Sequence, residues 1–180
     1  MRIQMDRGRK GRKGRNGSKR RRNTGRIFRN RKAVIAWLAV FMWMGVIFYF
    51  SHQPGDVSGE TSGRIVEMVS GAVTTVLPFV DIPEEGLHFA IRKGAHFFIY
   101  SILGLLSFIA FVVSGAKRRN AVFFAWILAT VYGGIDEYHQ TFIPGRSGEV
   151  TDVIIDSAGA IVGILIAKTV AGMKKIRVFE

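Results

Sequence analysis

The stretch GGIDEYHQTFIPGRSGEVTDVIIDSAGAIVG, Gly133–Gly163, packs Asp136, Glu137, His139, Gln140, Arg146, Glu149, Asp152 and Asp156 between two apolar segments. Ionisable groups that close to hydrocarbon are costly, so each is a candidate functional residue. Asp136 and Gln140 stand at i and i+4 with His139 at i+3, which predicts one shared helical face. Pro144-Gly145 predicts a turn within Phe142–Arg146. Past it, Asp152, Asp156, Gly159 and Gly163 form a single helical stripe. Gly159-x-x-x-Gly163 supplies the small surface across which a neighbouring backbone can approach. The stretch therefore reads as the polar turn of a helical hairpin, with apolar arms at Ala121–Ile135 and Thr151–Ala171.

Toward the N-terminus, the basic segment Lys117-Arg118-Arg119 separates this hairpin from an apolar run that ends at about Val113. The helix carrying that run is predicted to begin at Asp81-Ile82-Pro83-Glu84, whose D-x-x-E spacing is that of a capping box. Within it, Arg92, His96 and Tyr100 fall at i, i+4 and i+8 and share a face. Val57–Val80 holds Ile65, Val66, Val69, Ala72, Val73, Val76 and Leu77 at helical spacing, but Arg64, Glu67, Gly71 and Pro78 interrupt it. That pattern predicts an amphipathic helix on the outer face. Ala33–Phe50 is 18 residues without a charge, enough to span a hydrocarbon core of ~30 Å at ~1.5 Å per residue.

The net charge of +13 belongs to one tail: residues 1–32 hold 15 Lys and Arg against a single acid, Asp6. The remainder carries 11 basic and 12 acidic residues, so no basic patch on a folded domain needs explaining. Such a tail has almost nothing to bury and is predicted to be disordered. Beside a first apolar helix it acts as a topology signal that holds this end in the cytoplasm. It can also attract anionic headgroups, and no specific nucleic-acid partner is expected. With no cysteine, disulfides and thiolate chemistry are excluded.

These readings combine into an all-α membrane protein. It has four transmembrane helices, one amphipathic outer-face helix and a disordered basic N-terminal tail. Residues 1–32 form the cytoplasmic tail, 33–171 the membrane domain and 172–180 a short cytoplasmic tail. The basic clusters at 117–119 and at Lys174, Lys175 and Arg177 then lie inside. Ser51, Gln53, Arg92, Lys93, His96, Asp136, Glu137, His139, Gln140, Arg146, Asp152 and Asp156 converge at the outer ends of the helices.

Three roles fit that convergence. Acids at helix ends could pair with Arg92, Lys93 and Arg146 and lock the helices together. Arg146, Lys93 and Arg92, with Gln140 and Gln53, could instead bind an anionic ligand, since guanidinium and ammonium groups suit phosphate oxygens. In the third role Glu137, Asp136 and His96 act as acid and base, the near-neutral pKa of histidine suiting proton transfer. Asp136, His139, Asp152 and Asp156 are candidate ligands for a divalent metal such as Mg²⁺, Mn²⁺ or Zn²⁺.

SHQPG at 51–55, RKGAHFFIYSILG at 92–104 and DEYHQTFIPGRSGEVTDVIIDSAGAIVG at 136–163 resemble the VanZ-like family of bacterial membrane proteins. The resemblance covers about residues 33–171, departing from common family patterns at Arg92 and Asp156. It implies a multi-pass protein of the bacterial plasma membrane and cell envelope, whose namesake lowers susceptibility to the glycopeptide teicoplanin. Two functions remain open: binding or masking a lipid-linked or cell-surface anionic ligand, such as a cell-wall precursor or anionic lipid, and membrane-embedded, metal-dependent catalysis on a phosphate- or glycan-bearing lipid.

Overall fold

The computed structural model describes the backbone of residues 10–57, 59–60, 63–64, 66–68 and 83–176, and side chains within 30–170 of that set except Glu84. Four long helices carry it: α1 (Lys10–Ser51), α2 (Glu84–Val113), α3 (Arg118–Gln140) and α4 (Val150–Ile176). Among the described residues there is no strand. Among the described residues, three segments are long and apolar enough to cross a membrane: Asn30–Ser51, Glu85–Val113 and Val150–Val170. The 23-residue α3 does not join them, because Arg118 and Arg119 begin it and Asp136–Gln140 end it. Phe41, Phe98, Phe124, Ile135 and Ile154 all project outward, as residues facing lipid do.

The α2–α4 pair is the most extensive contact in the bundle, and the small-residue stripe explains why. A methyl group on Gly159 would strike the Phe97 carbonyl, and one on Gly163 the Ser101 carbonyl. Helix association in lipid rests on such close van der Waals approach, because apolar side chains gain little by leaving lipid tails. The buried faces of α2 and α4 meet α1 and α3 in a core of Val40, Ile47, Tyr100, Leu103, Ala110, Ala129 and Ala160. Phe108, Ala121, Ala125, Ile164 and Ala167 form a second cluster.

Polar anchors tie α1 to the others. The Trp43 indole donates to the Ile99 carbonyl at 2.9 Å, and the Tyr132 hydroxyl donates to the Met44 carbonyl at 2.7 Å. The Trp37 indole reaches Ser114 Oγ at 3.1 Å. The indole of Trp126 donates to Ser157 on α4 at 2.8 Å. Trp43 and Trp126 place part-buried N–H groups on acceptors of another helix, as burial of such a group requires, and Trp37 reaches the residue that caps α2.

Several expectations change. α2 begins at Glu84 with Pro83 as its N-cap and no side-chain cap hydrogen bond. Pro83 has ψ 129°, which is not helical, so the expected D-x-x-E box does not set this start; Asp81 and Ile82 lie outside the described residues. Helical backbone continues N-terminally from the first span to Lys10, where composition predicts disorder. A helix already nucleated by residues 33–50 needs only propagation to extend into Lys- and Arg-rich sequence. Of the expected amphipathic helix, residues 57, 59–60, 63–64 and 66–68 are helical, and the rest of Val57–Val80 lies outside the described residues.

Candidate functional site

The Ser51 end of α1, the start of α2, the end of α3 and the start of α4 meet at one end of the bundle. Two loops clasp there. The Gly55 amide donates to the Pro144 carbonyl at 3.0 Å, and a side chain on Gly55 would collide with the Gly145 carbonyl. Gly145 itself sits at φ 74°, a left-handed conformation that glycine adopts without penalty. The two Pro-Gly pairs of the sequence are thus halves of one contact.

Beneath the clasp lies a cavity of about 400 Å³, within the range of small-molecule sites. Arg92, His96 and Tyr100 line it from α2, as their spacing predicts, with Asp136 and Gln140 from α3, Ser51 and Gln53 at the end of α1, and Arg146 from the turn. Ile47, Phe50, Ile91 and Ile99 supply apolar walls.

Arg146 donates to the Phe50 carbonyl at 3.0 Å and to Gln140 Oε1 at 3.3 Å, while its buried Nε has no hydrogen-bond partner. A buried Nη2 of Arg92 also has none. Burial lowers the Arg146 pKa, and the nearby Arg92 guanidinium lowers it further, against the pull of Asp136 and Glu137. Two like charges therefore face one space with donors left over.

Lys93, buried one residue away, does not line the cavity. Its ammonium pairs with Asp152 and with Glu149 at 2.7 Å, so its charge is already compensated. Hydrogen bonds from Lys93 and Thr151 hold the Glu149 carboxyl below its ordinary pKa. Nothing local in the sequence couples Lys93 to Glu149 and Asp152, which lie 56 and 59 residues away.

The acids separate by helical phase. Gly133, Asp136, Glu137 and Gln140 form the buried stripe of α3 near its end. With 3.6 residues per turn, His139 falls to the side of that stripe rather than within it. It stacks on Phe48 with ring centroids 5.0 Å apart and shares a 3.3 Å hydrogen bond with His52. The expected grouping of His139 with Asp136, Asp152 and Asp156 is therefore not what the fold brings together. His96 instead meets Asp156 at 3.3 Å and Glu137 at 3.8 Å. Glu137 accepts from Gln140 at 3.2 Å and from the Glu149 amide at 3.0 Å, at the start of α4, where a helix N-terminus favours negative charge. Asp136 accepts from Gln140 at 3.4 Å.

The profile of the VanZ/LLP1 family matches residues 36–171. The chain belongs to the VanZ/LLP1 family. No curated protein and no solved structure matches it. The region matched by the VanZ/LLP1 profile contains every residue of the cavity wall and of the carboxylate cluster. Chemically, the arrangement offers two guanidiniums for an anion, an imidazole for proton transfer, and carboxylates for a base or a metal.

Proposed function

We propose that this chain is a plasma-membrane protein of the bacterial envelope that binds the anionic headgroup of a lipid or lipid-linked wall precursor in its terminal cavity. The carrying observation is the Arg92–Arg146 pair, two neighbouring guanidiniums with unpartnered buried donors. Against them the cavity wall sets one carboxylate, Asp136, so with His96 neutral the lining is net positive. A phosphate would satisfy both guanidiniums, while the apolar walls suit the first carbons of its lipid.

In this reading α3 is a fourth span, both termini are cytoplasmic, and the cavity opens toward the outer leaflet. Residues 1–32 and 172–180 are tails of the membrane domain 33–171. The basic residues at 117–119, 174, 175 and 177 support that orientation. Masking a surface precursor is one route by which such a protein would lower glycopeptide susceptibility.

The test is a binding titration of the purified chain with phosphatidylglycerol, a polyprenyl phosphate and neutral phosphatidylcholine. The phosphate-bearing anions should bind, and Arg92→Gln should weaken them without affecting phosphatidylcholine. Equal binding of the neutral lipid, or no effect of Arg92→Gln, would overturn the reading.

A second reading has its own support: His96 touches both the cavity and two buried carboxylates. That set could serve acid–base chemistry on a phosphate- or glycan-bearing lipid. Glu137→Gln separates the two, since a binding site tolerates it better than loss of Arg146 whereas an enzyme loses all turnover.

A further inference from the structure

Three elements deliver one residue each to a point behind the cavity: His96 from α2, Glu137 from α3 and Asp156 from α4. One ligand atom from each lies within 4.8 Å of the others. His96 Nδ1 stands 3.3 Å from Asp156 Oδ1 and 3.8 Å from Glu137 Oε1. Two ligands on one tetrahedral ion with bonds of about 2.0–2.1 Å stand about 3.4 Å apart. The trio is therefore close to coordination spacing already.

A second observation favours a cation beside Asp156. Asp156 is fully buried and its Oδ2 has no hydrogen-bond partner, while Asp136 and Asp152 are further acidic neighbours. Neither Lys93, which pairs with Asp152 and Glu149, nor Arg146, which donates to Phe50 and Gln140, reaches Asp156; among the described residues its one side-chain partner is His96. A buried carboxylate in that position calls for a proton or a metal.

We propose that His96, Glu137 and Asp156 form a binding site for a first-row divalent cation. One imidazole nitrogen with two carboxylate oxygens suits Zn²⁺ or Mn²⁺ better than the all-oxygen preference of Mg²⁺. Because His96 also lines the cavity, the ion stands one side chain from an anion bound there. The site rests on residues other than Arg92 and Arg146, so it stands or falls separately from anion binding.

The experiment strips the purified chain with chelator and dialyses it against Zn²⁺ or Mn²⁺, with bound metal counted by mass spectrometry. One ion per chain is expected, with affinity falling about tenfold or more in His96→Gln and Asp156→Asn. His139→Gln, outside the trio, should bind metal as the wild type does. No stoichiometric uptake of either ion overturns the proposal. So does uptake that survives both trio substitutions, or that is lost with His139→Gln. If Asp156→Asn does not fold, His96→Gln decides, because its side chain is 14% exposed and its removal opens no sealed pocket.

Discussion

Replacing Lys93 with methionine would leave Asp152, fully buried, without the ammonium that now faces it. Removing one partner of a buried pair costs about 3–5 kcal/mol, because the surviving charge stays desolvated. The Glu149 arm adds little, since its side chain is 40% exposed and pairs in water are worth at most about 1 kcal/mol. For a chain of this size each kcal/mol moves the melting temperature by about 2–4 °C. The single variant should therefore melt about 6–20 °C below the wild type in detergent. Adding Asp152→Leu removes the stranded charge and should recover most of that loss, as apolar replacement of a buried pair is often neutral. A drop of less than about 2 °C in Lys93→Met, or a double variant no better than the worse single, would refute the reasoning. It would also return Lys93 to the set of groups free to hold an anion.

Gly163→Val should lower stability by about 1–3 kcal/mol or more, because its side chain meets the Ser101 backbone, which cannot yield as a flexible side chain would. Gly134→Ala, with open space around it, should be neutral or stabilising by up to about 1 kcal/mol. Tyr132→Phe should cost about 0.5–1.5 kcal/mol by removing the hydrogen bond to Met44, read as a shift in thermal unfolding. Glu149 has a folded pKa below its ordinary 4.5. Its contribution is thus complete above that value and is lost as pH falls through the folded pKa. Glu149→Gln should flatten that acid limb, by under about 1 kcal/mol given its exposure. A reporter fused after Val113 should be active only as a cytoplasmic probe and one after Ile143 only as an external probe; the reverse pattern would invert the proposed topology.

What the sequence makes legible is set by helical periodicity. Arg92, His96 and Tyr100 share a cavity wall because i, i+4 and i+8 coincide on any α-helix. Asp152, Asp156, Gly159 and Gly163 share a buried stripe for the same reason. Periodicity does not say which neighbour a face will meet. His139 lies beside the α3 stripe and is claimed by Phe48 and His52 of the α1 end, a choice made by how α1 docks. Lys93 was separable from Arg92 only by 100° of helical rotation, yet that rotation turns it from the cavity toward α4. The indole donors of Trp37, Trp43 and Trp126 were hidden similarly, since an apolar pattern does not reveal where one N–H will find its acceptor.

The central claim is that Arg92 and Arg146 hold a phosphate-bearing lipid, and lipids carried through purification test it directly. Mass spectrometry of lipid extracted from the wild-type chain and from Arg92→Gln, prepared identically from the same cells, is the decisive comparison. The account predicts an anionic phospholipid or polyprenyl phosphate enriched on the wild type and depleted on the variant, with neutral lipids unchanged. Identical profiles from two folded proteins would contradict it and leave the guanidiniums a structural role in clasping the helix ends.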